Sequence, residues 1–129
     1  MRMKIVHEAG ARFRASCRSH AVIIDQPEES AGSDAGMTPP ELFAASLASC
    51  IGFYVARYCE QAKIPADGLE VGCDWQVGGK PRRIERIDVS VQLPGMPENR
   101  RKAVERVAES CLIHATLLHG TDMDIRIND

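Results

Sequence analysis

Fifteen consecutive residues without a charge, LFAASLASCIGFYVA from Leu42 to Ala56, constrain this chain more than any other feature. A helix that crosses a bilayer needs about 20 apolar residues, so this run reads as a helix buried within a protein. Thr38-Pro39-Pro40-Glu41, just before it, has the form of a capping box: Thr38 caps, Pro39 takes the first helical position, and Glu41 reaches back. The helix is expected to end near Lys63, ahead of Pro65. Cys50 falls past the middle of the run, where a thiol is either core filler or a shielded reactive group.

A chain of 129 residues, 44% hydrophobic and 26% charged, fits a single domain over residues 1–129. Such a domain has too little other structure to cover a helix that is apolar on every side. The small side chains of Ala44, Ala45, Ser46, Ala48, Ser49 and Gly52 also allow another backbone to come close. The expectation is a tightly associated, intertwined homodimer that shields the helix between subunits.

A net charge of -2 offers no broad attraction to nucleic acid or to an acidic membrane, although KPRRIER, Lys80 to Arg86, is locally basic. Neither is an expected partner. The opening MRMKIVHEAG has no signal-peptide apolar run, and five cysteines make an odd count. Both favour a cytoplasmic location.

Lys4 to His7, Arg12 to Cys17 and Ala21 to Asp25 read as short antiparallel strands, followed by a loop from Gln26 to Met37. Beyond the central helix, Leu69, Val71, Cys73, Trp75 and Val77 alternate with polar or small residues. After Gly78-Gly79, Ile87, Val89, Val91 and Leu93 alternate in the same way, so the two segments predict a hairpin. A second, amphipathic helix is expected from about Pro97 to His119. Its apolar stripe is Val104, Val107, Ala108, Cys111, Ala115 and Leu118. Met123, Ile125 and Ile127 predict a closing strand. The class is α+β, with the order βββ-α-ββ-α-β.

Cys17, Cys59 and Cys73 read as packing groups. Cys111 and His114 lie three apart, but without a second pair at suitable spacing they do not predict a metal site. Cys50 and Cys111 stand apart because each falls on the inner side of a predicted helix, and these are the only two helices available to pack together. Their cysteines are either core filler or a redox pair. Glu41 lies nine residues before Cys50, which at about 100° and 1.5 Å per residue puts it on the opposite side of the helix and about 13.5 Å away. It serves the cap, or acts on a thiol of a partner subunit. Arg12 and Arg14 share one strand face, either solvated or available to stabilise a thiolate or bind an anion. The histidines read as solvated or capping groups.

TPPELFAASLASC, Thr38 to Cys50, and AESCLIHATL, Ala108 to Leu117, resemble the two cysteine segments of the OsmC/Ohr superfamily (osmotically inducible and organic hydroperoxide resistance proteins). HAVIIDQPEESAGSDAGMTPPEL resembles a loop found in OsmC-like sequences. The likeness spans nearly the whole chain. It implies intertwined homodimers with two central helices between sheets, and thiol-dependent peroxidase chemistry. On that reading Cys50 attacks hydrogen peroxide or an organic hydroperoxide, and Cys111 resolves the sulfenic acid as a disulfide. An external thiol, dithiol or lipoyl-type reductant restores the pair, with no bound cofactor or metal. The chain departs from the peroxidase branches at two points. Pro40 stands where they carry Glu, with Glu41 one place later, and the loop near Ser30 lacks their Arg, which leaves Arg12 or Arg14 to substitute. The Pro40 departure favours an alternative from another class: a noncatalytic dimer that binds a small apolar or thiol-containing ligand.

Overall fold

Two compact units divide the chain, Met1–Phe43 and Ala44–Asp129, and the computed structural model describes residues 1–129 throughout. In the first unit, β1 (Lys4–Ala9), β2 (Arg12–Cys17) and β3 (His20–Ile24) form an antiparallel sheet in that order. Gly10, at φ +54°, turns β1 into β2, a left-handed conformation that costs glycine little. The register pairs Val6 with Arg14 and Ala15 with Val22. Ala15 is buried, whereas Ile5, Val6, Phe13 and Val22 remain exposed.

The loop after β3 folds around one acid. The Asp25 carboxylate, 1% exposed, accepts backbone N–H bonds from Gln26 at 2.8 Å, Ala35 at 3.1 Å and Ser33 at 3.2 Å. These bonds, led by that from Gln26, hold its pKa below the ordinary 3.8 against the upward push of burial, and the Arg12 charge adds to them. Gly32 and Gly36 lie so close to the backbone carbonyls of Gln26 and Ile23 that a Cβ at either position would overlap them.

The expected central helix is α1, Pro39–Ala62, preceded by the expected cap. Lys63 adopts φ +57°; its N–H bonds the Glu60 carbonyl at 3.4 Å, and that of Ile64 bonds the Cys59 carbonyl at 2.8 Å. This is a Schellman ending with lysine in the left-handed position. The helix is not covered on every side. Ala44, Leu47, Ile51, Val55 and Cys59 form a buried stripe at spacings of three and four, while Ala45, Ser49, Phe53 and Arg57 lie exposed on another face. By length and composition α1 is apolar enough to cross a membrane, but its buried stripe packs into a core.

That core belongs to the second unit. It joins Leu47, Ile51, Val55 and Cys59 to Ile64, Leu93, Val104 and Cys111. β4 (Glu70–Gly78) and β5 (Arg83–Gln92) form the expected hairpin, pairing Val71 with Val91, Cys73 with Val89 and Trp75 with Ile87. Val71 comes so near α1 that a Cβ on Gly52 would stand 3.3 Å from its methyl group. Burying a side chain such as Leu47 or Ile51 stabilises the unit by about 1.5–3 kcal/mol.

Two expectations fail beyond Pro97. The second helix is broken: after a 3-10 turn at Glu98–Arg100 come α2 (Arg101–Glu109) and α3 (Leu112–His119). Ser110 Oγ donates to the Arg106 carbonyl at 2.6 Å, and Cys111 takes up extended dihedrals of -67° and 148°. The apolar stripe therefore runs only as far as Cys111, and Ala115 and Leu118 are exposed instead of buried. The closing strand is also absent, since residues 120–129 carry no strand pairing and Met123, Ile125 and Ile127 are almost fully exposed. An alternating segment becomes a strand only against an edge that accepts its hydrogen bonds, and no edge of this chain pairs with it.

Candidate functional site: a thiol pair at the break between α2 and α3

Cys50 and Cys111 both lie in the second unit. Cys50 is half-buried near the middle of α1 and packs against the core cluster that includes Cys111, which is fully buried. Cys50 thus lies near enough to Cys111 to act on its thiol. Sixty-one positions of chain separate them, and the break after α2 brings the second sulfur to the helix that carries the first.

Cys111 is the N-cap of α3. Its sulfur accepts the backbone N–H of His114 at 3.2 Å, and its carbonyl accepts that of Ala115 at 3.0 Å. The His114 imidazole is fixed in turn, with Nδ1 2.7 Å from the Glu109 carbonyl. Burial pushes the Cys111 thiol pKa up, and the neighbouring Cys50 adds to this, while the His114 and Ile113 amides pull it down. The buried thiol thus remains protonated near neutral pH, with two amide dipoles already directed at the charge it would carry as a thiolate.

Sequence reasoning placed Cys111 inside a continuous helix and so missed the contribution of these amides. The available signal was Ser110 before Cys111, since serine is a poor residue for a helix interior and a good one at its ends.

The other cysteines are surrounded by different groups. Cys59 is fully buried, and burial raises its pKa; burial and the charge of Asp74 raise that of Cys73. Arg12 and Arg14 do share a face of β2, and both turn toward Glu8 on β1: Arg12 Nε lies 3.3 Å from its Oε1 and Arg14 Nε 3.1 Å from its Oε2. Glu41 Oε2 accepts the Thr38 N–H at 2.7 Å, as the capping box requires. All three belong to the first unit.

In the same unit, Ile51, Val89, Val91, Leu93, Met96 and Val104 line a groove of about 320 Å³. Arg101, Glu105 and Glu109 supply its charged residues. Ile51 follows Cys50 directly in the chain, so an apolar groove adjoins the segment that carries the more accessible sulfur.

Comparison with solved structures places this architecture. A protein from Psychrobacter arcticus 273-4, described as an osmotic stress induced and detoxification response protein, is similar with a TM-score of 0.80 at 20% identity, covering 88% of this chain and 85% of that one. An organic hydroperoxide resistance protein OsmC from Legionella pneumophila, described as a predicted redox protein and regulator of sulfide bond formation, gives a TM-score of 0.64 at 17% identity, covering 91% and 89%. The organic hydroperoxide resistance protein OhrB of Bacillus subtilis gives 0.59 at 19% identity, covering 90% of each chain. At these identities the likeness is one of fold. No curated protein matches the chain. The family model described as OsmC-like protein matches residues 32–126, from the loop after β3 through both cysteine segments, and the chain therefore belongs to the OsmC-like family.

Proposed function

We propose that this protein is a thiol-dependent peroxidase that reduces hydroperoxides through Cys50 and Cys111, working as a homodimer in the cytoplasm. The observation that carries the reading is the packing of the half-buried Cys50 against the core that holds the fully buried Cys111, within one unit. The Cys50 thiolate attacks the terminal oxygen of ROOH, the O–O bond breaks, and ROH leaves with a proton while Cys50 becomes a sulfenic acid. Cys111 then attacks that sulfur, water departs, and a disulfide closes. Two equivalents of an external thiol, or one dithiol of lipoyl type, return both sulfurs to the reduced state. The reaction calls for no bound cofactor or metal. The printed names of the Legionella pneumophila and Bacillus subtilis proteins, both concerned with organic hydroperoxide resistance, support the substrate class, and the adjoining apolar groove suits an organic substituent on the peroxide.

Stopped-flow oxidation of the reduced protein by hydrogen peroxide and by cumene hydroperoxide tests the reading. The expected result is oxidation well above the rate of free cysteine, lost in Cys50→Ser and halted at a sulfenic acid in Cys111→Ser. Rates no faster than free cysteine with both peroxides would overturn it and leave the noncatalytic alternative, in which the groove binds a small apolar or thiol-containing ligand.

A further inference from the structure

The two sulfurs of the pair differ in a way that sets the direction of disulfide reduction. We infer that Cys111 is the leaving sulfur: the reducing thiol attacks Cys50 Sγ, and the His114 and Ile113 amides receive the departing Cys111 thiolate. The inference rests on the disulfide proposed above and concerns how it is opened.

Two features of the structure support this direction. Cys111 is buried completely by its own chain, whereas Cys50 is only partly covered. Association with a second copy covers surface and uncovers none, so Cys111 stays sealed in a dimer, while a peroxidatic Cys50 must remain reachable. In addition, Cys111 caps α3, with the His114 N–H 3.2 Å from its sulfur and the Ile113 N–H also acting on it. Cys50 lies inside α1, where the backbone N–H groups are engaged in the helix. Thiol-disulfide exchange runs faster when the departing thiolate is stabilised, and the His114 N–H offsets part of the cost that burial imposes on a Cys111 thiolate. Accessibility thus selects the bond polarity, and the His114 amide eases the departure of the buried sulfur.

The step balances. The reducing thiolate RS⁻ forms an S–S bond to Cys50 as the Cys50–Cys111 bond breaks, and its electron pair goes to Cys111 as thiolate, held by the amides until it is protonated. A second thiol, or the second arm of a dithiol, displaces Cys50 and completes the reduction.

The test makes the disulfide with diamide, so its outcome does not depend on peroxide turnover. The oxidised protein is exposed briefly to 2-mercaptoethanol, quenched in acid and denaturant with N-ethylmaleimide, and mapped by peptide mass. The expected result is the mercaptoethanol adduct on Cys50 and the maleimide on Cys111, in about tenfold excess over the reverse. A predominant adduct on Cys111, equal labelling of the two, or failure of diamide to join Cys50 to Cys111 would overturn the inference. A second measurement isolates the amide: His114→Pro removes the N–H, while His114→Ala keeps it and removes only the ring. Reduction by 2-mercaptoethanol should be about fivefold slower in the proline variant than in the alanine variant, and equal rates would overturn the role of the amide. If His114→Pro does not fold, the map on the unsubstituted protein still decides the direction.

Discussion

Thr38 and Glu41 secure the start of α1 reciprocally: the Thr38 N–H donates to Glu41 Oε2 at 2.7 Å, and the Glu41 N–H donates to Thr38 Oγ1 at 3.4 Å. Both donors are among those that a helix start leaves without intrahelical partners. Thr38→Ala should lower stability in urea unfolding by about 1 kcal/mol, and Glu41→Ala by a similar or smaller amount. Glu41→Gln retains an acceptor and should keep much of the cap. The same variant separates the cap from a catalytic role. Loss of a general base or acid would slow peroxide reduction by about 100-fold or more; with the carboxylate engaged at Thr38, the rate of Glu41→Gln is expected to stay close to that of the unsubstituted protein.

Thiol labelling should rank the cysteines by environment. Burial raises the pKa of Cys59 and of Cys111, and both are fully buried, so a native-state reaction with dithionitrobenzoate should be slow at each of them. Cys50 is only half-buried and should react first among the three. A thiol whose pKa is raised gains reactivity only as the pH climbs past its ordinary value of 9.0. Labelling of Cys59 should therefore lag that of a free thiol at every pH below that range. Peptide mapping after brief exposure checks the order, and rapid modification of Cys59 ahead of Cys50 would contradict it.

Local signals with a direct physical consequence were the parts of the fold legible in the sequence. Thr38-Pro-Pro-Glu41 specified the helix start, and period-two alternation on either side of Gly78-Gly79 specified the hairpin. The closing strand and the continuous second helix misled for a shared reason: Met123, Ile125, Ile127, Ala115 and Leu118 carry a clean periodic pattern, but a pattern states only what a segment could bury. The edge or groove needed to bury it is a property of the assembled fold. The pairing of Cys50 with Cys111 was accessible as an argument by elimination between two helices and as an implication of the OsmC/Ohr resemblance of their segments, and in neither case from a local signal. The capping amides at Cys111 were hidden because helical periodicity runs across Ser110 without interruption.

Asp25 gives the first unit a defined acid sensitivity. Its carboxyl is held below the ordinary pKa of 3.8, first by the Gln26 amide and then by those of Ala35 and Ser33. A lowered folded-state pKa means that the unfolded chain binds the proton more readily. The stabilisation is therefore complete above the unfolded value and is lost as pH falls through the folded one. Thermal unfolding monitored from pH 6 downward should show a midpoint that is level at first and then declines below about pH 4. Asp25→Asn should be less stable at pH 6 and should flatten the part of that decline due to this group. Gly32→Ala, which drives a Cβ into the Gln26 carbonyl, should destabilise the same loop without changing the pH at which the decline begins.

The exposed face of α1 bears on assembly. Ala45, Ser49, Phe53 and Arg57 recur at four-residue spacing opposite the buried stripe, and Ser49 Oγ is already satisfied by the Ala45 carbonyl at 2.6 Å. Phe53 is 58% exposed, and on α3 Leu112 and Leu118 are each 68% exposed, an amount of large apolar surface that points to an interface. The protein is expected to sediment as a dimer of the 14.2 kDa chain. Burying a phenylalanine contributes about 1.5–3 kcal/mol, and a twofold axis counts it twice. Phe53→Glu should accordingly raise the dimer dissociation constant by about 100-fold or more. The variant keeps every member of the buried stripe, so its circular dichroism should retain the helical signal of α1. Sedimentation of the unsubstituted protein as a monomer at micromolar concentration would refute the dimer, and unchanged association in Phe53→Glu would move the interface away from this face of α1.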